Sequence, residues 1–504
     1  MFGGSEPGHG IVAPAGCDPA GPHRGGGRAF RIATNVARCT MPRDPIDARR
    51  ILAVMDGPTP THRPGRRPRA GADRAWVGMF LIALGLRVGY AWLATGPHAL
   101  PYSDAADYDS LAWRMATGHG FSLGPDSAPY PTAFRPPVLP WIVSLLYAVA
   151  GHRFFAGVLL QCVIGALVPL LLVELGRHLF SRSVGVIAGW LAAVHPLLVF
   201  FSGYLLTETV FVAAVLIAML ATVSWIKTPR PSRAAGAGVL WGVAALTRPT
   251  ALLLPPLVAL WTWAPLGLIV TPRDRVRQIA LLLAGLAIAI APWTVRNAIA
   301  LRAFVPVTTG GGHALLDSNN DIVWNDPSLR GGAHSVVLRE PYASRLRGLS
   351  EPAADRECAR MAREFLAAHV REWPAMAGAK LARFWRLTGE TAASGTWRRG
   401  GGPLEALTRL ADPLLVWSLV TWPFAIGGLV VMMRGTRRLY QALIPLTVLY
   451  FMLLAVVYWG ALRTRIPAEP FLVLLSAAGI DAAWRWTRLR RAGLTVIESV
   501  GRHG

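Results

Sequence analysis

The stretch WVGMFLIALGLRVGYAWL, residues 76–93, is followed closely by PYSDAADY, residues 101–108. The first stretch is apolar and long enough to cross a bilayer as a helix, which takes about 17–25 residues. The second places Asp104, Asp107 and Tyr108 at the mouth of that predicted span. Acidic side chains held against a bilayer are costly unless they serve a function, so they form a candidate functional site. Position alone is equally compatible with a solvated loop, and the rest of the sequence has to decide.

The composition is that of a membrane protein. Of the 504 residues, 53% are hydrophobic and 16% charged, and the mean hydropathy is +0.40, which excludes an ordinary soluble domain. The net charge of +23 comes almost wholly from arginine, because Lys227 and Lys380 are the only lysines. Since the arginines cluster between apolar runs, they indicate cytoplasmic loops that face anionic lipid, and not nucleic-acid binding. The four cysteines have neither disulfide-like paired spacing nor a zinc motif.

About ten apolar runs are predicted to span the membrane. They lie near residues 76–95, 154–176, 184–201, 209–226, 235–247, 250–270, 278–295, 411–433, 439–460 and 470–487. The run 138–150 is too short to cross, and we predict a re-entrant or surface-lying helix there. With this count the arginine and lysine clusters fall on one side, as the positive-inside rule requires, and both termini are cytoplasmic. Counting 138–150 as a span would put the later clusters outside.

The runs divide the chain into five predicted parts. These are a disordered cytoplasmic N-terminal arm (1–72), a transmembrane catalytic module (73–295) with a first extracytoplasmic loop (96–153), an extracytoplasmic loop region (296–410), C-terminal transmembrane helices (411–490) and a cytoplasmic tail (491–504). The arm is rich in Gly, Pro and Arg and has no sustained periodicity. Helical character is predicted within 351–387. The fold class is therefore an all-α polytopic membrane protein.

The unusual polar residues collect on the predicted extracytoplasmic side. Ser103 is predicted to cap a helix that sets Asp107 and Tyr108 one turn from Asp104. The others are Arg135 before the short run, Glu208 at the start of a span, Arg248 and Arg296 at the ends of runs, and Arg463 with Arg465, which oppose the positive-inside trend. Snorkelling to headgroups equally explains Arg248 and Arg296, and a favourable helix-terminal charge is the alternative for Glu208.

His195 and His313 are the two histidines to consider as metal ligands. His195 precedes Pro196 and is predicted to be a packed residue at a helix end. His313 lies in a glycine-rich outer segment and is a possible metal ligand, but no second histidine has ligand spacing.

Carboxylates and arginines that converge at one membrane face suit a particular chemistry. A carboxylate can take a proton from a nucleophile. Arginines can hold a phosphate and stabilise it as a leaving group. A lipid-linked phosphate would arrive from the bilayer at this depth, so the pattern favours transfer of a group from a lipid phosphate to an extracytoplasmic acceptor.

In these residues the chain resembles the bacterial membrane glycosyltransferases of family 39. They belong to the GT-C superfamily, with the protein O-mannosyltransferases and the lipid A aminoarabinose transferases. The matching motifs, in the family's order over roughly residues 76–487, are Ser103-Asp104-Ala105-Ala106-Asp107-Tyr108, Gly118-His119-Gly120-Phe121, Phe134-Arg135-Pro136-Pro137, Thr207-Glu208, Ala245-Leu246-Thr247-Arg248-Pro249, Pro292-Trp293-Thr294-Val295-Arg296-Asn297, Phe304-Val305-Pro306-Val307, Ser318-Asn319-Asn320 and Arg463-Thr464-Arg465-Ile466-Pro467.

The resemblance implies a GT-C-type helical bundle in the cytoplasmic (inner) membrane. It implies an enzyme that takes a sugar from a polyprenyl-phosphate donor, with inversion, and gives it to an extracytoplasmic lipid, glycan or protein. Asp104 occupies the place of the family's first-loop aspartate, a catalytic base or metal-associated carboxylate. Many relatives have Asp-Glu there, whereas this chain has Asp104-Ala105 and a second carboxylate at Asp107. Binding of a divalent metal cation is left open by this difference, and no organic cofactor is expected.

The resulting hypothesis gives each residue a role. Asp104 deprotonates the acceptor, while Asp107 and Glu208 position the acceptor or a divalent ion. Arg463, Arg465 and Arg248 hold the donor phosphate. Tyr108 and Arg135 shape the floor of the site. The hypothesis requires Asp104 and Arg465 to meet in one lipid-accessible cavity.

Two alternatives remain at this stage. A flippase or secondary transporter is also polytopic, although such proteins commonly bind near the midplane between repeated halves, and no repeat is evident here. A lipid-linked glycan ligase or polymerase would also use a long late outer loop. The Asp104–Asp107 pair after the first span favours the glycosyltransferase.

Overall fold

The computed structural model describes residues 70–267, 269–388, 413–435 and 438–491. The predicted N-terminal arm up to residue 69, the end of the predicted loop region and the predicted tail beyond residue 491 lie outside the described residues. The described chain is α-helical, as predicted, with one pair of very short strands.

The elements follow one another in four groups. The first contains α1 (Ala70–Ala94), α2 (Asp104–Ala116), β1 (Ser122–Leu123), β2 (Tyr130–Pro131), α3 (Val138–Ala150), α4 (Phe154–Leu179), α5 (Arg182–Val194) and α6 (Pro196–Ser202). The second contains α7 (Thr207–Lys227), α8 (Pro231–Thr247), a 3₁₀ turn (Pro249–Ala251), α9 (Leu254–Gly267) and α10 (Pro272–Leu301). The third, which we call the lobe, contains α11 (Gly311–Ser318), α12 (Asp321–Asn325), α13 (Tyr342–Leu346), α14 (Glu351–Ala368) and α15 (Trp373–Phe384). The fourth contains α16 (Pro413–Arg434), α17 (Arg438–Gln441), α18 (Leu443–Val457), α19 (Leu462–Arg465), a 3₁₀ turn (Ile466–Ala468) and α20 (Glu469–Arg491).

The prediction of about ten spans is not confirmed. Seven helices of the described chain are long and apolar enough to cross a membrane, or eight if α5 and α6, which meet at an angle of 54°, count as one span. The two remaining predicted spans correspond to α8 and α9, with 17 and 14 residues. At 1.5 Å per residue, helices of these lengths reach about 21–26 Å, which is short of a hydrocarbon core of about 30 Å.

The short helix α8 is held against the long helix α10 by close backbone packing. A Cβ at Gly238 would lie 1.9 Å from the carbonyl oxygen of Leu282, and one at Gly285 would lie 2.3 Å from that of Ala235. Small residues let membrane helices approach this closely, and van der Waals packing then stabilises the pair. The contact fixes the end of α8, where Arg248 follows.

The bend between α5 and α6 is tied to the first span. Pro196 has no N–H to give to the carbonyl of Ala192. Arg87 of α1, which is fully buried, donates to the carbonyls of Ala192 at 3.3 Å and Ala193 at 3.0 Å. The guanidinium therefore replaces the bonds that the break removes.

Helix α3 has the bounds predicted for the short apolar run, and its 13 residues are too few to cross a bilayer. Leu139, Val143 and Tyr147 are buried at successive turns. The opposite side is apolar as well, and there Trp141, Leu145 and Val149 are exposed. Since its exposed side is apolar as well, α3 is suited to contact lipid, and the choice between a re-entrant and a surface-lying helix stays a prediction.

Helix α3 is also fastened to α2. The buried Asp109 of α2 accepts a hydrogen bond from the hydroxyl of Tyr147 at 2.6 Å, and Nε2 of His152 lies 2.9 Å from its other oxygen. The His152 ring stacks on Trp113 of α2, with ring centroids 4.7 Å apart. These contacts set the direction in which α3 leaves the segment that carries Arg135.

The lobe confirms the helical character predicted within 351–387, as α14 and α15. Its small core, between α11, α14 and the segment between them, consists of Leu316, Val336, Cys358, Met361 and Ala362. Lys380 of α15 is buried and donates to Asn319 Oδ1 at 2.9 Å, which joins α15 to the end of α11. The lobe is thereby a packed unit that can supply one wall of a cavity.

Candidate active site

Helix α2 brings the two aspartates together. It begins at Asp104, and Asp107 and Tyr108 follow one turn later, so the three side chains lie on one side. Ser103 precedes the helix as predicted, but its side chain makes no capping hydrogen bond and its φ is 54°, in the left-handed region. The predicted Ser103 cap is therefore wrong, because in that conformation the hydroxyl does not reach the N–H groups of the first turn.

Arg135, which lies further along the first loop, binds both aspartates. Its Nη2 donates to Asp104 Oδ1 at 2.5 Å, and its Nε and Nη2 donate to Asp107 Oδ2 at 2.9 and 2.8 Å. The guanidinium also lies 5.5 Å from the ring centre of Tyr108 and 4.9 Å from that of Phe134. Tyr108 and Arg135 thus lie together beside the two aspartates, and their role in shaping the floor of the site stays a prediction.

A second arginine joins Asp104 to the membrane helices. Arg463 Nη1 donates to Asp104 Oδ2 at 2.5 Å, and its Nε donates to Glu208 Oε1. Arg248 Nη1 pairs with the same Glu208 oxygen at 2.6 Å. We call Asp104, Asp107, Glu208, Arg135, Arg248 and Arg463 the ion-pair cluster; it contains three carboxylates and three guanidinium groups.

The charges of the cluster change the acidity of Asp104. Burial by itself would raise the pKa of this carboxyl, but Arg463 and Arg135 outweigh it and hold the pKa far below the usual range. Both oxygens already accept charge-assisted hydrogen bonds. Asp104 is thus a firmly ionised carboxylate with little affinity for a proton.

Arg465 does not join the cluster. It is fully buried and donates to Glu469 Oε1 at 2.6 Å and to the carbonyl oxygen of Phe384 at 3.3 Å. The other Glu469 oxygen lies 3.2 Å from Nε2 of His195, which is packed at the α5–α6 bend as predicted. Residues two apart on a helix point about 200° away from each other, so Arg463 and Arg465 cannot share one site. The prediction that Asp104 and Arg465 lie in one cavity is therefore wrong. Arg463 lies beside Asp104 instead.

Arg296 also lies elsewhere, and does not snorkel. Its Nη1 donates to the carbonyl of Thr132 at 2.6 Å and its Nη2 to that of Phe121 at 2.5 Å. It therefore holds the first loop, from α10, without entering the cluster.

A cavity of about 520 Å³ opens beside the cluster. Asp104, Tyr108, Arg135, Arg248 and Arg463 line it, whereas Asp107 and Glu208 stand behind these residues. Leu253, Phe451 and Leu454 add an apolar wall from the membrane helices. Oε2 of Glu208, the oxygen that does not pair with Arg248 or Arg463, has no hydrogen-bond partner among the described residues. The cavity can therefore hold an anion and an apolar chain side by side.

The lobe supplies the remaining wall, which was not predicted from the sequence. Gly310, Gly311, His313 and Asp317 line the cavity. His313 Nδ1 lies 3.2 Å from Asp355 Oδ1 of α14. Burial opposes its charge, but the hydrogen bond to Asp355 and the neighbouring Cys358 outweigh burial and raise the pKa of His313 to about 10. The only signal in the sequence was the spacing of His313 and Asp317, one helical turn apart after a glycine run.

The cluster does not suit a divalent cation. Both oxygens of Asp104 and one each of Asp107 and Glu208 already face guanidinium groups. Within the described ranges no group of three or more His, Cys, Asp or Glu side chains is placed to hold a metal ion. A cation at Asp104 would have to displace Arg135 and Arg463, because both oxygens of this carboxylate are already bound to them. The expected metal role of Asp107 and Glu208 finds no support in this donor set.

Fold and site together define a multi-span α-helical membrane protein with a charged cavity built at helix ends. A family model, described as dolichyl-phosphate-mannose-protein mannosyltransferase, matches residues 134–295, about a third of the chain. The matched segment carries Arg135, Glu208 and Arg248. The resemblance to the GT-C glycosyltransferases is confirmed by this match.

Two solved structures are similar in shape to this chain. The apo oligosaccharyltransferase of Archaeoglobus fulgidus is 16% identical, with 83% of this chain and 51% of that chain covered and a TM-score of 0.49. ArnT from Cupriavidus metallidurans bound to undecaprenyl phosphate is 13% identical, with 82% of this chain and 77% of that chain covered and a TM-score of 0.39. This chain thus spans about half the length of the oligosaccharyltransferase. No curated protein sequence gives a match. At such low similarity no functional residue can be carried over from these structures.

Proposed function

We propose that this protein is a membrane glycosyltransferase that moves a sugar from a polyprenyl-phosphate donor to an extracytoplasmic acceptor, with inversion at the anomeric carbon. The observation that carries the proposal is the convergence of Arg135, Arg248 and Arg463 on a cavity with an apolar wall. Guanidinium groups recognise phosphate oxygens, and an apolar wall suits a prenyl chain. The family match over residues 134–295 supports the same class of donor.

Arg248 and Arg463 are the groups for the donor phosphate. Both line the cavity, and Glu208 binds the two guanidinium groups through one oxygen, which holds them side by side. When the acceptor oxygen attacks the anomeric carbon, the bond from that carbon to the phosphate oxygen breaks and the oxygen keeps the electron pair. Arginines already fixed beside that oxygen stabilise the departing phosphate without reorganisation.

Asp104 and Asp107 hold the arginines in place for this step. Asp104 binds Arg135 and Arg463 at the same time. Asp107 Oδ2 accepts hydrogen bonds from Nε and Nη2 of Arg135. Glu208 does the same for Arg463 and Arg248. Proton transfer to Asp104, the role expected from the resemblance, is less well supported because its pKa is held so low. Arg465 contributes by fixing the turn that carries Arg463.

We further propose the cytoplasmic (inner) membrane as the location, with the cavity on the extracytoplasmic side and both termini in the cytoplasm. The positive-inside pattern of the sequence supports this orientation. The proposed parts of the chain remain a catalytic transmembrane module with its first loop, a loop region that includes the lobe, and C-terminal membrane helices. Cysteine labelling of Ser344 and Arg302 variants in intact cells and in inverted vesicles tests the side on which the lobe lies.

The test of the function uses the purified full chain in nanodiscs. It is supplied with a polyprenyl-monophosphate sugar or, separately, with a pyrophosphate-linked oligosaccharide, each with candidate acceptors present. Release of polyprenyl phosphate from the monophosphate donor is expected. Turnover of the pyrophosphate donor alone would identify a ligase or polymerase instead. Movement of intact donor between leaflets without cleavage would identify a flippase.

A further inference from the structure

Asp317 is a carboxylate of the cavity that the roles assigned above leave unused. It lies on α11, one turn after His313, and lines the cavity from the lobe side. Its Oδ1 is sheltered from solvent and has no hydrogen-bond partner among the described residues. A buried carboxylate oxygen without a partner is costly, so its persistence at a cavity wall suggests a partner that arrives with the substrate.

The surroundings of Asp317 differ from those of Asp104. Burial raises the pKa of Asp317 to about 6, while the charge of His313, the backbone of Val336 and the hydroxyl of Ser335 oppose the rise. No arginine binds its carboxylate among the contacts of the described chain. The carboxylates of Asp104 and Asp317 therefore differ in their affinity for a proton. Asp104 is bound to two arginines and stays ionised, whereas Asp317 can exchange a proton near neutral pH.

We propose that Asp317 is the catalytic residue that accepts the proton of the attacking hydroxyl group, and that the lobe side of the cavity is the acceptor site. The inference rests on the proposed function. The acceptor oxygen forms a bond to the anomeric carbon, the bond from that carbon to the phosphate oxygen breaks, and the acceptor's proton passes to Asp317 Oδ1. The phosphate leaves with the electron pair on the opposite side, among the arginines. The acceptor is accordingly a hydroxyl compound.

Glycine residues leave room for such an acceptor. A Cβ at Gly311 would meet no atom within 4 Å, and Gly310 lies next to Phe134 of the first loop. The cavity wall in front of α11 is therefore open where a bulky residue would close it. Protonated His313 keeps one positive charge beside Asp317, which favours the carboxylate form between turnovers.

Other titratable groups surround Asp317 and have to be controlled. His313 is on the same helix, and the N–H of His334 donates to the Asp317 carbonyl at 2.8 Å. Asp355 lies on α14 behind His313, and Tyr458 and Arg463 line the cavity from the membrane helices. Because histidine is the side chain that ordinarily titrates near neutral pH, His334→Gln is the variant against which the pH profile is checked.

The test compares Asp317→Asn, Asp317→Glu and the exposed lobe variant Glu372→Gln with the wild type. Single-turnover transfer from a polyprenyl-monophosphate sugar is measured from pH 5 to 8, and binding of the donor is measured separately. Wild-type transfer is expected to rise about tenfold from pH 5 to pH 7, as the base form of a group of pKa about 6 accumulates. Asp317→Asn is expected to lose about 10²–10⁴-fold in rate and to lose this rise, with donor binding unchanged. Asp317→Glu should restore part of the rate.

The outcomes separate the inference from the proposed function. If the wild type cleaves no polyprenyl-phosphate sugar, the proposed function fails. If the wild type is active and Asp317→Asn keeps near wild-type rate, or the pH rise disappears in His334→Gln instead, the role of Asp317 is overturned. Loss of donor binding in Asp317→Asn, or equal loss in Asp317→Glu and Asp317→Asn, would also overturn it, since both indicate a structural role.

Discussion

Arg463 and Asp104 lie 359 positions apart in the sequence, yet Nη1 of one is 2.5 Å from Oδ2 of the other. The pair joins the first turn of the first loop to the turn before the last membrane helix. Because Arg463 also binds Glu208 of α7, one side chain links three distant segments. The site forms only when the segments that carry Asp104, Glu208 and Arg463 have packed together.

The first prediction concerns this link. Arg463→Lys keeps the charge but loses the planar fork that reaches Asp104 and Glu208 together. We expect transfer to fall about 10²–10³-fold, the usual effect of removing one electrostatic donor. Single-turnover rates measure it, with the exposed lobe variant Arg339→Lys as control. Rates within twofold of wild type for Arg463→Lys would contradict the assignment.

The second prediction concerns the pair formed by Glu208 and Arg248. Glu208→Gln leaves Arg248 without its carboxylate partner, at a cost of about 3–5 kcal/mol. Arg248→Gln should cost less, because Glu208 keeps its ion pair with Arg463. The double variant removes both charges, so it should be more stable than the sum of the singles by about 0.5–3 kcal/mol. Denaturation of the purified proteins completes the double-mutant cycle. Strict additivity would mean that the two residues are not coupled.

The third prediction concerns Glu351, which holds the first loop against the lobe. Its carboxylate accepts from Thr132 Oγ1 at 2.6 Å, Ala133 N at 2.9 Å and Thr309 Oγ1 at 2.7 Å. Glu351→Gln should lower stability by about 1.5–3 kcal/mol, since hydrogen bonds to a charged group are lost. It should also slow transfer, because Ala133 is two residues from Arg135.

Glu357→Gln is the matched control for Glu351. Glu357 pairs with Arg345 and Arg360 near the surface of the lobe, where ion pairs contribute at most about 1 kcal/mol. Thermal unfolding compares the two variants. An equal loss of stability in both variants would show that the hydrogen bonds of Glu351 do not stabilise the contact between the first loop and the lobe.

The fourth prediction concerns pH and stability. The pKa of His313 is raised from its usual 6.5 to about 10, so its contribution to stability is complete below pH 6.5 and is lost as pH rises towards 10. The difference in melting temperature between wild type and His313→Gln should therefore shrink between pH 7 and pH 10. A difference that stays constant over this range would contradict the interaction with Asp355.

The fifth prediction concerns the product. A polyprenyl-phosphate sugar is a phosphodiester with one negative charge, whereas the released polyprenyl phosphate has nearly two above its second pKa of about 6. Arginines in the cavity should bind the product more tightly than the donor. We expect competitive inhibition by polyprenyl phosphate that strengthens from pH 5 to pH 7 and weakens in Arg463→Lys. Inhibition unaffected by that variant would place the phosphate elsewhere.

Much of the fold was predictable because apolar run length is a strong signal. The bounds of helix α3 were predicted from its apolar run. The proximity of Asp104, Glu208 and Arg248 was expected from the prediction that they lie on one side of the membrane. The number of spans was not predictable, because hydropathy does not distinguish a helix such as α8, short but packed closely on α10, from one that crosses.

The errors at the site have one physical origin. The direction of a side chain on a short turn decides which residue it contacts. The spacing of residues in the sequence predicts that direction only if the backbone conformation is known. Arg463 and Arg465 were grouped by proximity, although helical geometry separates them. Asp317 was not predicted because its proposed role depends on one carboxylate oxygen, Oδ1, that has no hydrogen-bond partner among the described residues, and only coordinates reveal this.

Arg87 has a consequence for how the protein is made. Its carbonyl acceptor at Ala193 is 106 residues further along the chain, so the first span emerges from the ribosome before that acceptor exists. A lone arginine near the middle of a helix costs about 2.5–3.5 kcal/mol during insertion by the translocon. Within its own helix Arg87 binds only the carbonyl of Ala83. We therefore expect insertion of the first span to become more favourable once the bent pair α5–α6 has been synthesised and supplies the carbonyls of Ala192 and Ala193.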